Sequence, residues 1–140
     1  MKVSESLPQI TTPENAPMME SLGGVDLIAL DAANGRCVLQ FECLERFCHS
    51  GGKVAQGGFV TAWMDAAMAH AVTLTDGYEQ HVMSLDISVR FLLPVGPGLV
   101  RAHGRTVRRG KRIAFMEAEL FNSQQQLVAT ATSSGVLRDK

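Results

Sequence analysis

The chain has 140 residues, of which 46% are hydrophobic and 19% are charged, and its formal net charge is −1. This length and composition predict one soluble globular domain that is large enough to bury a sizeable core. A net charge so close to zero excludes a global field that would recruit nucleic acid or an acidic membrane. No apolar run is long enough to span a bilayer, and the N-terminus lacks the apolar core of a signal peptide.

Cysteine and histidine give no metal or disulfide pattern. Three cysteines, an odd number, stand without metal-ligand spacing at Cys37, Cys43 and Cys48. We therefore expect reduced thiols, no metal site and a cytoplasmic protein. His81 and His103 likewise have no partner at a spacing typical of a metal site or a catalytic triad.

Residues 1–20 are predicted to form an irregular arm, and residues 21–140 are predicted to form the single domain. A short helix around this boundary is expected to end at Gly23. The arm contains three prolines, Pro8, Pro13 and Pro17. Next, the segments VDLIAL and RCVLQFE flank Asn34-Gly35, which is a strong signal for a hairpin of two antiparallel strands.

The segment VAQGGFVTAWMDAAMAHAV, residues 54–72, predicts a helix from about Gly57 to Val72. Its side chains are apolar almost all the way round. Such a helix has to be covered on nearly every side.

The second half of the chain predicts strands. Residues 83–91 alternate with period two, so one face is expected to carry Met83, Leu85, Ile87, Val89 and Phe91, and the other Ser84, Asp86, Ser88 and Arg90. Three further strand candidates, LVRAHGRTVRR, RIAFMEAELFN and QLVATATSSGVL, are joined by short links that predict a meander. A hairpin, one long apolar helix and about four strands predict an α+β hot-dog fold, in which one curved antiparallel sheet of five to six strands wraps around a long central helix.

Asp65 lies in the middle of the apolar helix. An ionised carboxylate buried without partners costs several kcal/mol, so Asp65 either lies on an exposed stripe, bonds a buried backbone group, or has a chemical role. The Gly57-Gly58 pair at the helix start favours a chemical role. Free backbone N–H groups at a helix start can bind an oxyanion, and glycine permits close approach.

One helix cannot bring Gly57 and Asp65 to the same substrate atom. The eight residues between them span about 12 Å at 1.5 Å per residue. A second, antiparallel copy of the helix could place its Asp65 beside the first Gly57. A catalytic pair of these residues therefore requires at least a two-fold dimer with two equivalent sites.

The helix segment resembles the glycine-glycine helix start and helix acid of hot-dog acyl-CoA thioesterases of the phenylacetate-degradation (PaaI-like) type. The resemblance continues in MSLDISVRFLLPVGPG and RTVRRGKRIAFMEAEL, and it covers residues 20 to 137 in uninterrupted order. It implies that Asp65 is the general base or nucleophile and that the Gly57 N–H polarises the thioester carbonyl. Gln56, where many members have His and some have Gln, would orient the substrate or help hold the carbonyl.

Two further roles follow from the same resemblance. Ser84 matches a hydroxyl position that can hold the attacking water. The loop before the helix commonly supplies an Asn, but here that place is taken by His49 or Ser50. The loop segment HSGGKVAQ is also one residue longer than the usual pattern.

The segment RTVRRGKR has two interpretations. It is either a solvated hairpin end or a site for the phosphates of coenzyme A, which suit Arg forks and Lys point charges. The family resemblance favours the phosphate site, formed by Arg108, Arg109, Lys111 and Arg112.

The resemblance implies a hydrolase for small or medium acyl-CoA thioesters, aromatic ones included, and the helix geometry adds that its site is shared between subunits. Coenzyme A is part of the substrate, so no separate cofactor is expected. A homodimer is the minimum assembly and a homotetramer is common in the family, with no nucleic-acid or membrane partner. The alternative is a hot-dog protein that binds acyl-CoA or an acyl carrier with little or no turnover. A hot-dog dehydratase is disfavoured because it needs a histidine where Gln56 stands.

Overall fold

The computed structural model describes residues 7–77 and 79–140. Within these residues the chain forms two α-helices and eight strands. In order they are α1 (Ala16–Ser21), β1 (Asp26–Asp31), β2 (Arg36–Cys43), β3 (Cys48–His49), β4 (Val54–Ala55), α2 (Gly57–Thr73), β5 (Gln80–Phe91), β6 (Gly98–Arg109), β7 (Ile113–Phe121) and β8 (Leu127–Asp139). Residues 1–6 of the predicted arm lie outside the described residues.

The larger sheet is antiparallel and has the strand order β1-β2-β6-β7-β8-β5. The hairpin of β1 and β2 and the meander of β6, β7 and β8 are confirmed. β5 returns to the far side of the sheet and pairs with β8, which makes it an edge strand. Six antiparallel strands packed against one long helix confirm the predicted hot-dog fold.

The central helix α2 runs from Gly57 to Thr73, one residue beyond the predicted end. Its fully buried side chains include Trp63, whose Nε1–H donates to the Leu22 carbonyl at 2.8 Å. The Leu22 carbonyl follows α1, so this bond ties the N-terminal segment to the helix. Trp63 is therefore a core residue that also anchors the segment directly after α1.

Gly104 on β6 allows the sheet to approach the helix closely. A Cβ at this position would lie 2.1 Å from the Ala67 carbonyl oxygen of α2. The backbone of the helix cannot rotate away as a flexible side chain can, so only glycine fits here.

Gly104→Ala is expected to destabilise the fold by about 1–3 kcal/mol, the usual cost of overpacking a well-packed core. Urea unfolding followed by circular dichroism measures the change. Thr132→Ala, at an exposed position of β8, serves as the control and should change the free energy of unfolding by less than about 0.5 kcal/mol. An unchanged midpoint for Gly104→Ala would contradict the close contact.

The predicted alternation along β5 is wrong at one point. Ser84 and Asp86 pair with successive residues of β8, so Leu85 is an extra residue in a β-bulge. Beyond the bulge, Ile87 and Val89 pack against the core as predicted. Before it, Ser84 faces α2, and Leu85 is 60% exposed. An inserted residue reverses the side-chain directions on one side of it, and period-two counting cannot detect this.

One face of α2 is only half-buried. Its residues recur every three or four positions and include several alanines: Thr61, Ala62, Asp65, Ala66, Ala69, His70 and Thr73. Residues at this spacing form one stripe along a helix. Asp65 therefore lies on a half-buried stripe of small side chains.

Candidate active site

The loop that precedes α2 is anchored to the start of the helix. Phe47 is buried and stacks on Phe59 of α2 with ring centroids 4.3 Å apart. The Phe47 carbonyl accepts the Gln56 N–H at 2.9 Å. The loop that carries His49 and Ser50 is thus fixed relative to the helix start.

His49 and Ser50 are linked to each other. The His49 Nδ1 lies 2.8 Å from the Ser50 hydroxyl. Ser50 adopts a left-handed φ of 57°, which Gly51 and Gly52 continue at 73° and 78°. A left-handed conformation is uncommon for a residue with a side chain. This turn projects the imidazole beside the helix start, with Ser50 as its hydrogen-bond partner.

At the helix start, the Gln56 side chain satisfies one of the backbone N–H groups that have no partner within the helix. The Gln56 side-chain oxygen accepts the Gly58 N–H at 2.6 Å and so caps the helix. The Gly57 N–H, as the first of the helix, has no partner within the helix. The Gln56 cap therefore leaves Gly57 as the N–H that can polarise a bound carbonyl.

Gly57 opens into a cleft of about 400 Å³ with mostly apolar walls. The cleft is lined by His49, Val54, Ala55, Gly57, Val60, Phe91, Leu92, Leu93, Pro94, Val95 and Val128. The Phe91 ring lies so close to Gly57 that an added Cβ would be 3.1 Å from it. Of the two loop candidates, His49 lines this cleft, and Ser50 reaches it only through His49.

Asp65 and Ser84, both predicted from the sequence, are in direct contact. The Ser84 hydroxyl donates to the Asp65 Oδ1 at 2.9 Å. This bond fixes one carboxylate oxygen and leaves the other able to accept a proton. Ser84 reaches Asp65 because of the bulge at Leu85.

Within one chain the two halves of the predicted site remain apart. Among the described residues, the cleft at Gly57 is lined without Asp65. The eight-residue separation along α2 corresponds to about 12 Å, as the sequence predicts.

Arg109 makes contacts within its own chain. Its guanidinium donates to the Asp76 carboxylate at 2.8 Å, to the Gln80 side-chain oxygen at 2.6 Å and to the Val72 carbonyl at 3.3 Å. Val72 lies in the last turn of α2, where a cation also interacts favourably with the helix dipole. Arg109 thus links the end of the helix to β5 and β6.

The other predicted phosphate ligands are exposed. Lys111 and Arg112 line a surface cleft of about 590 Å³ together with Arg138, which sequence reasoning missed. Arg138 joins them because the Leu137 N–H donates to the Arg112 carbonyl at 2.7 Å, which holds the end of β8 beside this turn. Arg108 is exposed on β6. No sequence signal links Arg138 to a segment so distant along the chain.

Cys37 and Cys43 lie in environments that disfavour the reactive thiolate. Burial raises the pKa of the Cys37 thiol to about 12, and burial together with the neighbouring Cys48 does the same for Cys43. A reactive cysteine needs the opposite shift.

In residues 7–77 and 79–140, no three His, Cys, Asp or Glu side chains lie close enough together to hold a metal ion. Nor is any helix there long and apolar enough to cross a membrane.

Comparisons with known proteins identify the family and the fold. A family model described as the thioesterase superfamily matches residues 52–129. A candidate esterase of Saccharolobus solfataricus is 27% identical over 118 residues, which cover 83% of this chain and 82% of that protein. A phenylacetic acid degradation-related protein of Ralstonia eutropha, described as a candidate thioesterase, has a TM-score of 0.78 at 29% identity over 91% of this chain and 92% of its own.

The phenylacetic acid degradation protein PaaI of Thermus thermophilus, solved as a point mutant, has a TM-score of 0.72 at 28% identity. That match covers 86% of this chain and 97% of the PaaI chain. The family model matches more than half of the chain, and the solved structures share its fold, so the chain belongs to the thioesterase superfamily, with its hot-dog fold.

Proposed function

We propose that the protein is an acyl-CoA thioesterase with two equivalent sites, each shared between two subunits. The observation that carries the proposal is the Ser84–Asp65 hydrogen bond of 2.9 Å on a half-buried stripe of α2. A carboxylate held at one oxygen by a hydroxyl suits a general base. The second half of the site is the Gly57 N–H, which opens into an apolar cleft.

The chemistry follows from the charges that develop during hydrolysis. The Gly57 N–H donates to the thioester oxygen, which becomes negative as the carbonyl carbon is attacked. Asp65 of the partner subunit accepts a proton from water, and the water oxygen bonds to the carbonyl carbon. The C–S bond then breaks, the coenzyme A thiolate takes up the proton, and a carboxylic acid is released.

Two surfaces of the subunit support the dimer that this chemistry requires. The half-buried stripe of α2 is rich in alanine, so a second helix can approach it closely. The edge strand β5 and the residues that follow it expose large apolar side chains: Met83, Leu85, Phe91, Leu92 and Leu93. Edge strands also carry unpaired backbone groups that can pair with another chain.

The acyl group is expected to be apolar, because the walls of the cleft at Gly57 are mostly apolar. A panel of aryl-acetyl, benzoyl and medium-chain aliphatic CoA esters, assayed for free thiol release, tests both the function and the acyl class. Saturable binding of these esters without thiol release would instead indicate a binding protein, the alternative that the departure in the loop at His49 or Ser50 keeps open.

Lys111 and Arg112 are proposed to bind the phosphates of coenzyme A, with Arg138 beside them. Replacing Lys111 and Arg112 together by alanine is expected to raise KM for acyl-CoA about ten-fold or more, since the loss of even one charge-assisted bond costs about 1.5–3 kcal/mol. KM for the matching pantetheine esters, which lack the nucleotide phosphates, should stay nearly constant. Equal changes with both substrates would contradict a phosphate role.

Arg109→Ala provides the contrast within the same basic segment. Because Arg109 bonds Asp76, Gln80 and the end of α2, its loss should lower the melting temperature. It should change KM for CoA esters and pantetheine esters to the same extent.

A further inference from the structure

The bulge at Leu85 determines which side chain meets Asp65. Successive side chains of a strand point to opposite faces. Ile87 packs against the core. If the strand alternated without interruption, Leu85, two residues earlier, would also face the helix, and Ser84 would face away from it. The extra residue reverses this, and Ser84 donates to Asp65.

Asp86 and Ser134 fasten the bulge. Directly after the bulge, the Asp86 carboxylate accepts the Ser134 N–H at 3.0 Å and the Ser134 hydroxyl. A bulge interrupts the backbone ladder, and here a side chain supplies an acceptor to the neighbouring strand. The Ser134 hydroxyl and N–H hold the pKa of Asp86 below its usual value.

Two further features of β8, at Ser133 and Gly135, lie beside the bulge. The Ser133 hydroxyl donates to the Asp86 carbonyl at 2.7 Å. Gly135, opposite Ser84, has no room for a Cβ, which would lie 2.6 Å from the Val82 side chain. Residues of both strands therefore make specific contacts at the bulge, and Asp86 is the charged residue among them.

We propose that Asp86 is a positioning residue, which holds the bulge at Leu85 in place and thereby directs the Ser84 hydroxyl to Asp65. This inference rests on the proposed thioesterase function. Asp86 itself touches no reacting atom and acts only through Ser84.

The first test compares two substitutions at one position. Asp86→Ala removes both bonds to Ser134 and is expected to lower kcat about ten-fold, since a bond to the active carboxylate is lost, with KM changed less than about two-fold. Asp86→Asn keeps an oxygen that can accept the Ser134 N–H and should retain most of the activity. Ser88→Ala, two residues further along the same strand and exposed, is the control and should behave as wild type.

The second test is a double-mutant cycle with Ser84→Ala. If Asp86 acts only through Ser84, Asp86→Ala should cost about ten-fold with Ser84 present and nearly nothing in its absence, because the two effects share one path. Equal losses in both backgrounds would show a general structural role and overturn the proposal. No loss in either background would overturn it as well.

A third measurement does not depend on activity. In ¹⁵N-labelled protein, the Ser134 amide should exchange its hydrogen at least about ten-fold faster in Asp86→Ala than in wild type, because it loses its acceptor. Asp86→Asn should leave the exchange rate close to wild type. An unchanged rate in Asp86→Ala would overturn the proposal. A wild type that hydrolyses no thioester would end the proposed function, whereas the exchange rates would still decide whether Asp86 holds the bulge.

Discussion

Replacing Asp65 with asparagine is expected to lower kcat at least about 10²-fold, the lower end of what a general base contributes. The substitution preserves size and keeps a side-chain oxygen that can accept the Ser84 hydroxyl. It removes the group that takes up the proton of water. Thiol release from the best CoA ester of the panel measures the loss, and the melting temperature shows whether the fold is intact.

Asp26→Asn is the matched control, because Asp26 is an exposed acid at the start of β1. It should retain wild-type kcat. Hydrolysis at the normal rate by Asp65→Asn would show that the carboxylate only accepts the Ser84 hydroxyl, and the proposed mechanism would fail. A folded variant that binds CoA esters as wild type does, but releases thiol slowly, is the expected result.

The helix and the fold could be predicted because local and global signals coincide. The glycine pair before an apolar run places the start of the helix at Gly57, and the structure has it there. The same run requires cover on most sides, which a curved sheet supplies. The spacing of Gly57 and Asp65 also follows from helix geometry alone, so their separation needs no coordinates.

The remaining details of the site depend on contacts between distant parts of the chain. The bulge at Leu85 is invisible to alternation, because the contact beside it joins Asp86 to Ser134 on the neighbouring strand β8, 48 residues further along the chain. Arg109 looks like its basic neighbours in the sequence, but Asp76, 33 residues away, occupies its guanidinium. Only the fold of the loop distinguishes His49, which lines the cleft, from Ser50.

Two inactive variants are expected to restore activity when they share a dimer. Gly57→Pro removes the backbone donor without breaking the helix, because proline is favoured at the first helical position. The residue before a proline has to be extended, and Gln56 already has φ −64° and ψ 137°. Asp65→Asn removes the base. Each homodimer lacks one half of both of its sites.

Gly57→Ala separates loss of the donor from crowding. Both alanine and proline place a Cβ near the Phe91 ring, 3.1 Å away, but alanine keeps the N–H. A large drop in kcat from Gly57→Ala to Gly57→Pro would therefore measure the N–H itself, for which about 3 kcal/mol is typical of an oxyanion donor. Equal activities of the two variants would assign the effect to Phe91.

Mixing Gly57→Pro and Asp65→Asn under conditions that exchange subunits then tests the shared site directly. If Gly57 of one subunit acts with Asp65 of the other, a mixed dimer has one site with both defects and one site with neither. Random exchange makes about half of the dimers mixed, so about a quarter of wild-type activity should return, by the two-fold symmetry of the assembly. A site within one subunit would leave one defect in every site, and no activity would return.

Mass spectrometry of the intact dimers verifies exchange, so an inactive mixture with verified heterodimers would rule out the shared site. Restored activity would explain why a carboxylate lies on the alanine-rich stripe of α2, about 12 Å from the glycine with which it acts.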